Sequence, residues 1–416
     1  MNMAWAGDYF CSGTHAVRVH GGPAALDRLG SELRRAGVAR AMVLCGRSVA
    51  AHGNWLRTLN AQADGCIVGV CGAISKDAPL EDVQRAVEQA RELGADCLVA
   101  IGSGSVLKAA RVVAILLAET APLMQLITHY PDQGPAISPK LTAPKIPIFN
   151  ILTAPTSAQN RAGSAIKGPG GQGRYEFFDP RTRPRAIFWD PAALATAPLS
   201  LIRSTGYAVF WRALMNMGGA GGANPLVEGA RIQAWRLARR AYPQALDSAE
   251  QAAMLRGRME LCAAALLQNR DEDDGGRPMD QHWIARAVYA LAAGVFHAIP
   301  SIGQGEAHAA LTAAAVLHAP ASEDAVIGRL WMALVEQEPD GVPACEPGRE
   351  QVAQEIEEAH GQMGMPADLS ALGVRMTDLP RTLDLSTRNF NADRDRTLAG
   401  QRACLEAVLM QAMTTK

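Results

Sequence analysis

The strongest constraint on this chain is an alternation. Short apolar runs, ARAMVLC (39–45), CIVGVCG (66–72) and DCLVAIG (96–102), alternate with helix-length amphipathic stretches such as GPAALDRLGSELRRAG (22–37) and LEDVQRAVEQARELG (80–94). A short run with almost no polar residue suits a strand buried on both faces, and parallel neighbours need a long crossover, usually a helix, to bring the chain back to the same edge. The alternation therefore predicts an α/β domain built on a doubly wound, largely parallel sheet. It continues through PKIPIFNILTAP (144–155) and PRAIFWDPAAL (184–194). From Pro198 onward, long Ala-, Leu- and Arg-rich segments at helical period predict an all-helical second domain, so the boundaries are placed at 1–195 and 196–416. Two domains are the expectation for 416 residues. Between strands, RAGSAIKGPGGQGRYEFFDP (161–180) has the glycines and aromatics of a hairpin or flap. MGGAGGANP (217–225) separates two helices, and DEDDGGRP (271–278) is predicted as a solvated loop.

Charge and cysteine content narrow the function classes. Lys plus Arg (40) nearly cancels Asp plus Glu (41), so no global field points to nucleic acid or an anionic membrane as partner. The start of the chain lacks a basic region followed by an apolar stretch and a cleavage site, and no apolar run reaches the ~18 residues of a membrane span, so a soluble, cytoplasmic protein is expected. The eight cysteines (11, 45, 66, 71, 97, 262, 345 and 404) show no C-x-x-C and no metal-ligand spacing, and read as free thiols.

Two segments carry chemistry. AIGSGSVLKAARVVAIL (100–116) runs from the third apolar run straight into a helix pattern. Gly102, Ser103, Gly104 and Ser105 would let backbone N–H groups approach a pyrophosphate at a helix N-terminus, on the strand edge where open sheets bind ligands. The second is STGYAVFWRALM (204–215), almost wholly apolar except for Arg212, with no acidic residue within a turn. A guanidinium does not lose its proton, so burying it requires a partner or a function.

These segments resemble the iron-containing alcohol dehydrogenase family. GSGSVLKAAR (102–111) is similar to its GGGS-x-x-D-x-A-K motif, and FNILTAPTSAQN (149–160) sits where the family has its nucleotide loop. RPRAIFWDPAALATAPLSLIRSTG (183–206) matches the strand and Asp-Pro that lead into the helical domain. FDPRTRPR (178–185) resembles the maleylacetate reductase branch. GVFHAIPSIGQGEAHAALTAAAVLH (294–318) is similar to the histidine-bearing segment, with His308 and His318 at the family's ten-residue spacing. The resemblance implies an NAD- or NADP-binding dehydrogenase, with a homodimer expected. It assigns the cofactor to Gly46, Arg47, Gly102, Ser103, Gly104, Ser105, Thr153, Thr156 and Ser157. Arg47 would receive a 2′-phosphate or be an ordinary surface arginine.

Departures from the family pattern shape the expected chemistry. In the family, an Asp and a His four residues apart bind a metal with two later histidines. Aligned from Gly206, those positions are Ala208 and Arg212, while His297 and His308 match the later pair. No metal is therefore expected. Arg212 takes the metal's place as electrophile or carboxylate anchor, with His297 and His308 as acid–base candidates; alternatively, Arg212 forks to a carboxylate or backbone carbonyls and stabilises the helical domain. Lys108 stands where the family has Asp, and Arg174 where Lys is common, and both are assigned to substrate. The resulting expectation is a metal-independent NAD(P)-dependent oxidoreductase that interconverts an alcohol and a carbonyl on a carboxylate-bearing substrate. Two alternatives stay open: a natural-product dehydrogenase that oxidises a peptide C-terminus with decarboxylation, and a degenerate scaffold or binding subunit.

Overall fold

In the computed structural model, the described residues are 7–413 apart from 8, 172, 248, 277–281 and 336–346. Six strands form one parallel sheet: β1 Arg18–Gly21, β2 Ala41–Cys45, β3 Ile67–Cys71, β4 Cys97–Gly102, β5 Ile148–Leu152 and β8 Ala186–Trp189, in the order β1-β8-β5-β4-β2-β3. Strands β6 Gly163–Lys167 and β7 Arg174–Phe178 pair antiparallel as a separate hairpin, as the glycine and aromatic pattern predicts.

The apolar runs are continuous because both sheet faces are covered. Met42, Leu44, Leu98 and Ala100 pack with helices Leu80–Glu92 and Gly104–Ala118, while Ala41, Val43, Val99 and Ile101 pack with Leu29–Arg35 and Gly53–Gln62. All six strands point the same way, so every carboxyl end lies on one edge. The order also fixes a switch point. The chain leaves β2 for β3 on one side and crosses back to place β4 on the other, opening a crevice at the carboxyl ends of β2 and β4.

After β8 the chain turns helical. Leu199–Gly218 is apolar on all sides and packs against Pro225–Leu246, Gln251–Asp273, Gln304–Leu317 and Asp324–Val335. The glycine-rich break falls between the first two of these helices, as expected. One expectation is corrected. The acidic stretch beginning at Asp271 is not a solvated loop, because Asp271 lies in the last turn of the helix Gln251–Asp273 with no exposure and pairs with Arg231, and Asp274 is buried as well. Its last two residues, 277 and 278, lie outside the described residues. No described helix is long and apolar enough to cross a membrane.

Candidate active site at the glycine turn

Strand β4 ends at Gly102, and Ser103 opens the Gly104–Ala118 helix without a side-chain cap or an acidic residue in the first turn. The first amides of that helix keep their donors and their positive dipole end for a ligand. Glycine is required at 102, where a Cβ would stand 2.7 Å from Val106 Cγ2. The turn after β5 lies alongside: Thr153 N donates to Gly102 O at 3.1 Å, and Thr156 Oγ1 accepts from Ala158 N at 3.1 Å to cap the short turn Ser157–Asn160. A Cβ on Gly104 would meet nothing nearer than Thr156 Oγ1 at 3.7 Å, so the two turns face each other across open space.

That space continues into a cavity of about 140 Å³ between the sheet domain and the helices. Six expected site residues line it: Gly104, Lys108, Thr156, Ser157, Arg174 and His297. Others lie nearby on the same edge. Gly46 follows β2 and caps the turn begun by the exposed Arg47, and Thr153 is buried behind the wall. Ser105 Oγ accepts from Asp77 N at 2.9 Å.

The lining is strongly cationic. Lys108 approaches Asp77 at 3.9 Å, and burial holds its pKa below the ordinary lysine value, Asp77 opposing this and Arg174, Arg111 and Lys167 reinforcing it. Arg174 pairs with Glu176 and donates Nη1 to Arg388 O at 2.9 Å; burial disfavours its charge, but Glu176, Tyr130 and Tyr289 together outweigh that and hold it above the usual arginine range. Glu176 also accepts from Tyr130 Oη, so its charge is already shared. His297 has a buried, unpartnered Nδ1, and burial first, then Arg174, Lys108, Lys167 and Lys76, press its pKa well below the usual value. It is a neutral imidazole at physiological pH.

Arg212 and His308 lie elsewhere. Neither lines the cavity. Arg212 is 4% exposed, with Nη1 donating to Asn269 Oδ1 and Nη2 to Gln268 O, both at 2.6 Å. Those contacts correct the expected role as electrophile: both terminal nitrogens are held within the helical domain. His308 stacks on Trp211, ring centroids 3.9 Å apart, with neither nitrogen partnered, and burial lowers its pKa to about 3. An imidazole sealed in this way does not exchange protons with the cavity, which corrects its expected acid–base role. His318, the other histidine of that segment, follows the Gln304–Leu317 helix as its cap.

The donor set does not fit a catalytic metal. A divalent site takes at least three protein donors. Ala208 supplies a methyl group, Arg212 a cation, and no three His, Cys, Asp or Glu side chains converge among the described residues. The glycine turn, by contrast, fits a dinucleotide's phosphates, with open amides and no acidic side chain in the first turn.

Sequence reasoning missed Arg111, Arg161, Glu176 and Tyr289, which also line the cavity. Arg111 was accessible to it, as the last residue of the quoted glycine motif. For Arg161 nothing local signalled a role.

Residues 16–191 match the family model "Iron-containing alcohol dehydrogenase". A 4-hydroxybutyrate dehydrogenase from Cupriavidus necator is 27% identical over 193 residues, 46% of this chain and 49% of that protein, so the match spans about half of the curated relative. Among solved structures, the sulfoacetaldehyde reductase of Bifidobacterium kashiwanohense in complex with NAD+ has a TM-score of 0.75 at 15% identity, covering 98% of this chain and 100% of that one. The maleylacetate reductase of Agrobacterium tumefaciens has a TM-score of 0.69 at 18% identity, covering 98% of both chains. Residues 16–191 thus match the model of the iron-containing alcohol dehydrogenase family, and the whole chain has the fold of the solved reductases it matches.

Proposed function

We propose that the protein is an NAD(P)-dependent oxidoreductase that interconverts an alcohol and a carbonyl on a small carboxylate-bearing substrate without a catalytic metal. One observation carries this reading: a single cavity joins the open helix N-terminus at Gly104 to His297, and its wall holds Lys108, Arg111, Arg161 and Arg174 against one carboxylate, Glu176. The family match and the NAD+ complex of a structural neighbour support a nicotinamide cofactor held by the Gly102–Ser105 and Thr153–Ser157 turns. When bound, that cofactor donates or accepts the hydride.

The protein's part is electrostatic. In the reducing direction, negative charge grows on the substrate carbonyl oxygen and needs fixed positive groups around it. Lys108 Nζ supplies one, and its lowered pKa suits it to pass a proton to the developing alkoxide. His297, neutral, orients the hydroxyl through a ring nitrogen. Arg174 is anchored by Glu176 and presents a preorganised cation. The acid function of the named relative's substrate, 4-hydroxybutyrate, matches the cationic wall, and a volume of about 140 Å³ favours a small acid over a peptide end.

Turnover of NADH and NADPH with a panel of short aldehyde acids, with and without chelator, tests this. Activity that is insensitive to chelator in a preparation free of stoichiometric iron or zinc is expected. Activity that appears only when a metal is added back would overturn it.

A further inference from the structure

Arg161 directly follows the Ser157–Asn160 turn and lines the cavity. Among the described residues only its Nε is engaged, donating to Asn269 Oδ1 at 3.1 Å, so Nη1 and Nη2 remain for a ligand. The same amide oxygen receives Arg212 Nη1. The nitrogen end of Asn269 is committed as well, to Ser157 O at 2.7 Å and to Asn160 Oδ1. This network fixes which end of the amide faces the arginines.

Three other arginines are matched by carboxylates: Arg183 with Glu272 and Asp273, Arg231 with Asp271, and Arg174 with Glu176, whereas the buried Arg258, away from the cavity, is held by the carbonyls of Ala245 and Leu194. Arg161 and Arg212 share only an amide oxygen, and Arg111 holds only Ser164 Oγ at 2.8 Å and Ala158 O at 2.7 Å. Burial and then Arg161 lower the pKa of both Arg111 and Arg212 to about 9. Arg111 and Arg212 are thus desolvated beside a third cation and hydrogen-bond no carboxylate among the described residues, with Asp271 and Glu272 only partly opposing the shift at Arg212, a cost that a ligand anion would offset.

We propose that Arg161 is the anchor for an acid group of the ligand, gripping a carboxylate through its free Nη1 and Nη2, and that Asn269, held by Arg212, is the residue that positions it. The buried Arg212 then acts on the ligand at one remove, through the amide it orients. That the acid belongs to the substrate rests on the redox reading above; the anion site itself does not.

Succinate is the probe, titrated at constant ionic strength against the NADH-loaded protein, with NADH affinity measured separately by fluorescence. Arg161→Gln is expected to weaken succinate binding by about tenfold or more, the loss of a charge-assisted bidentate pair, with NADH affinity unchanged. Arg161→Lys recovers only part of it, because a point charge does not reproduce the planar fork. Arg212→Met is expected to weaken succinate binding as well. In the double variant the losses do not add, as required if Arg212 acts through Arg161. Unchanged succinate affinity in Arg161→Gln overturns the proposal. A loss of NADH affinity instead assigns the arginine to the nucleotide phosphates and also overturns it. Wild-type protein that binds succinate but not NADH leaves the anion site standing and removes the redox reading.

Discussion

Replacing His308 with Phe separates a catalytic histidine from a core one. The ring is fully buried, lies flat on Trp211 and has no hydrogen-bond partner on either nitrogen. Burial moves its pKa from 6.5 to about 3 in the folded protein. The sign follows from proton linkage: the unfolded chain takes up the proton first, so stability is lost as pH falls from 6.5 towards 3. At pH 5 the unfolded state is favoured by 1.5 pKa units of protonation, about 2 kcal/mol at 1.36 kcal/mol per unit. His360, also buried and lowered to about 3, adds a similar amount.

Urea unfolding at pH 7.5 and pH 5 reads this directly. The wild type should lose about 4 kcal/mol between the two pH values from this pair, and His308→Phe about 2, the share of His360. At pH 7.5 the variant should differ little from the wild type. Phe keeps the stack on Trp211 and removes two buried, unpaired nitrogens, a gain of about 1–3 kcal/mol that offsets a similar cost of the larger ring. Turnover should persist. Equal acid sensitivity in the two proteins refutes the reasoning, as does a hundredfold loss of turnover with unchanged stability, the scale of losing a general acid or base.

Two further substitutions test the walls of the site. Gly104→Val should lower NADH affinity by about tenfold or more with little change in melting temperature, since its Cβ has open space towards Thr156; Gly102→Ala should instead lose stability, its Cβ falling 2.7 Å from Val106 Cγ2. Unaltered NADH affinity in the first variant would make the glycine turn merely a turn. Arg212→Met should stay within about 2 kcal/mol of the wild type, whereas Arg212→Ala should lose about 2–5 kcal/mol to the cavity it leaves. The disfavoured charge explains the contrast, because burial and then Arg161 hold Arg212 down to about 9, so that removing the charge offsets part of the loss of its hydrogen bonds when its volume is kept. Equal loss in both variants, measured by urea unfolding, would show that the charge itself stabilises the fold.

What the sequence disclosed depended on how local each signal was. Strands β2 and β4 were legible because burial on both faces leaves unbroken apolar runs. Strand β1, RVHG, was not: it is short, at the sheet edge and half exposed, so nothing in its composition separates it from a loop. The acidic stretch from Asp271 misled for a related reason. Charge density suggests solvent, but Asp271 is buried by its pairing with Arg231, forty residues earlier in the chain. His308 sat at a spacing that resembled a ligand, while the Trp211 ring that seals it comes from a distant helix.

Arg212 shows the same limit from the other side. A lone arginine in an apolar helix did mark a buried charge in need of a partner, and its alignment with a lost metal ligand pointed to the cavity. The partner proved to be an amide on Gln251–Asp273, and that amide also holds Arg161. Substituting Arg for a ligand histidine removes a donor and adds a fixed cation, and Lys for Asp at position 108 reverses another charge in the same direction. On the proposed metal-free reading, these changes disfavour a divalent ion and favour an anion. A ligand is gripped where terminal guanidinium nitrogens remain free, and Arg212 Nη1 and Nη2 are spent on Asn269 and Gln268 while its Nε is sealed in the helical core. On the proposed reading the ligand's acid group meets Arg161, fifty-one positions earlier in the chain, and Arg212 acts on it only through Asn269.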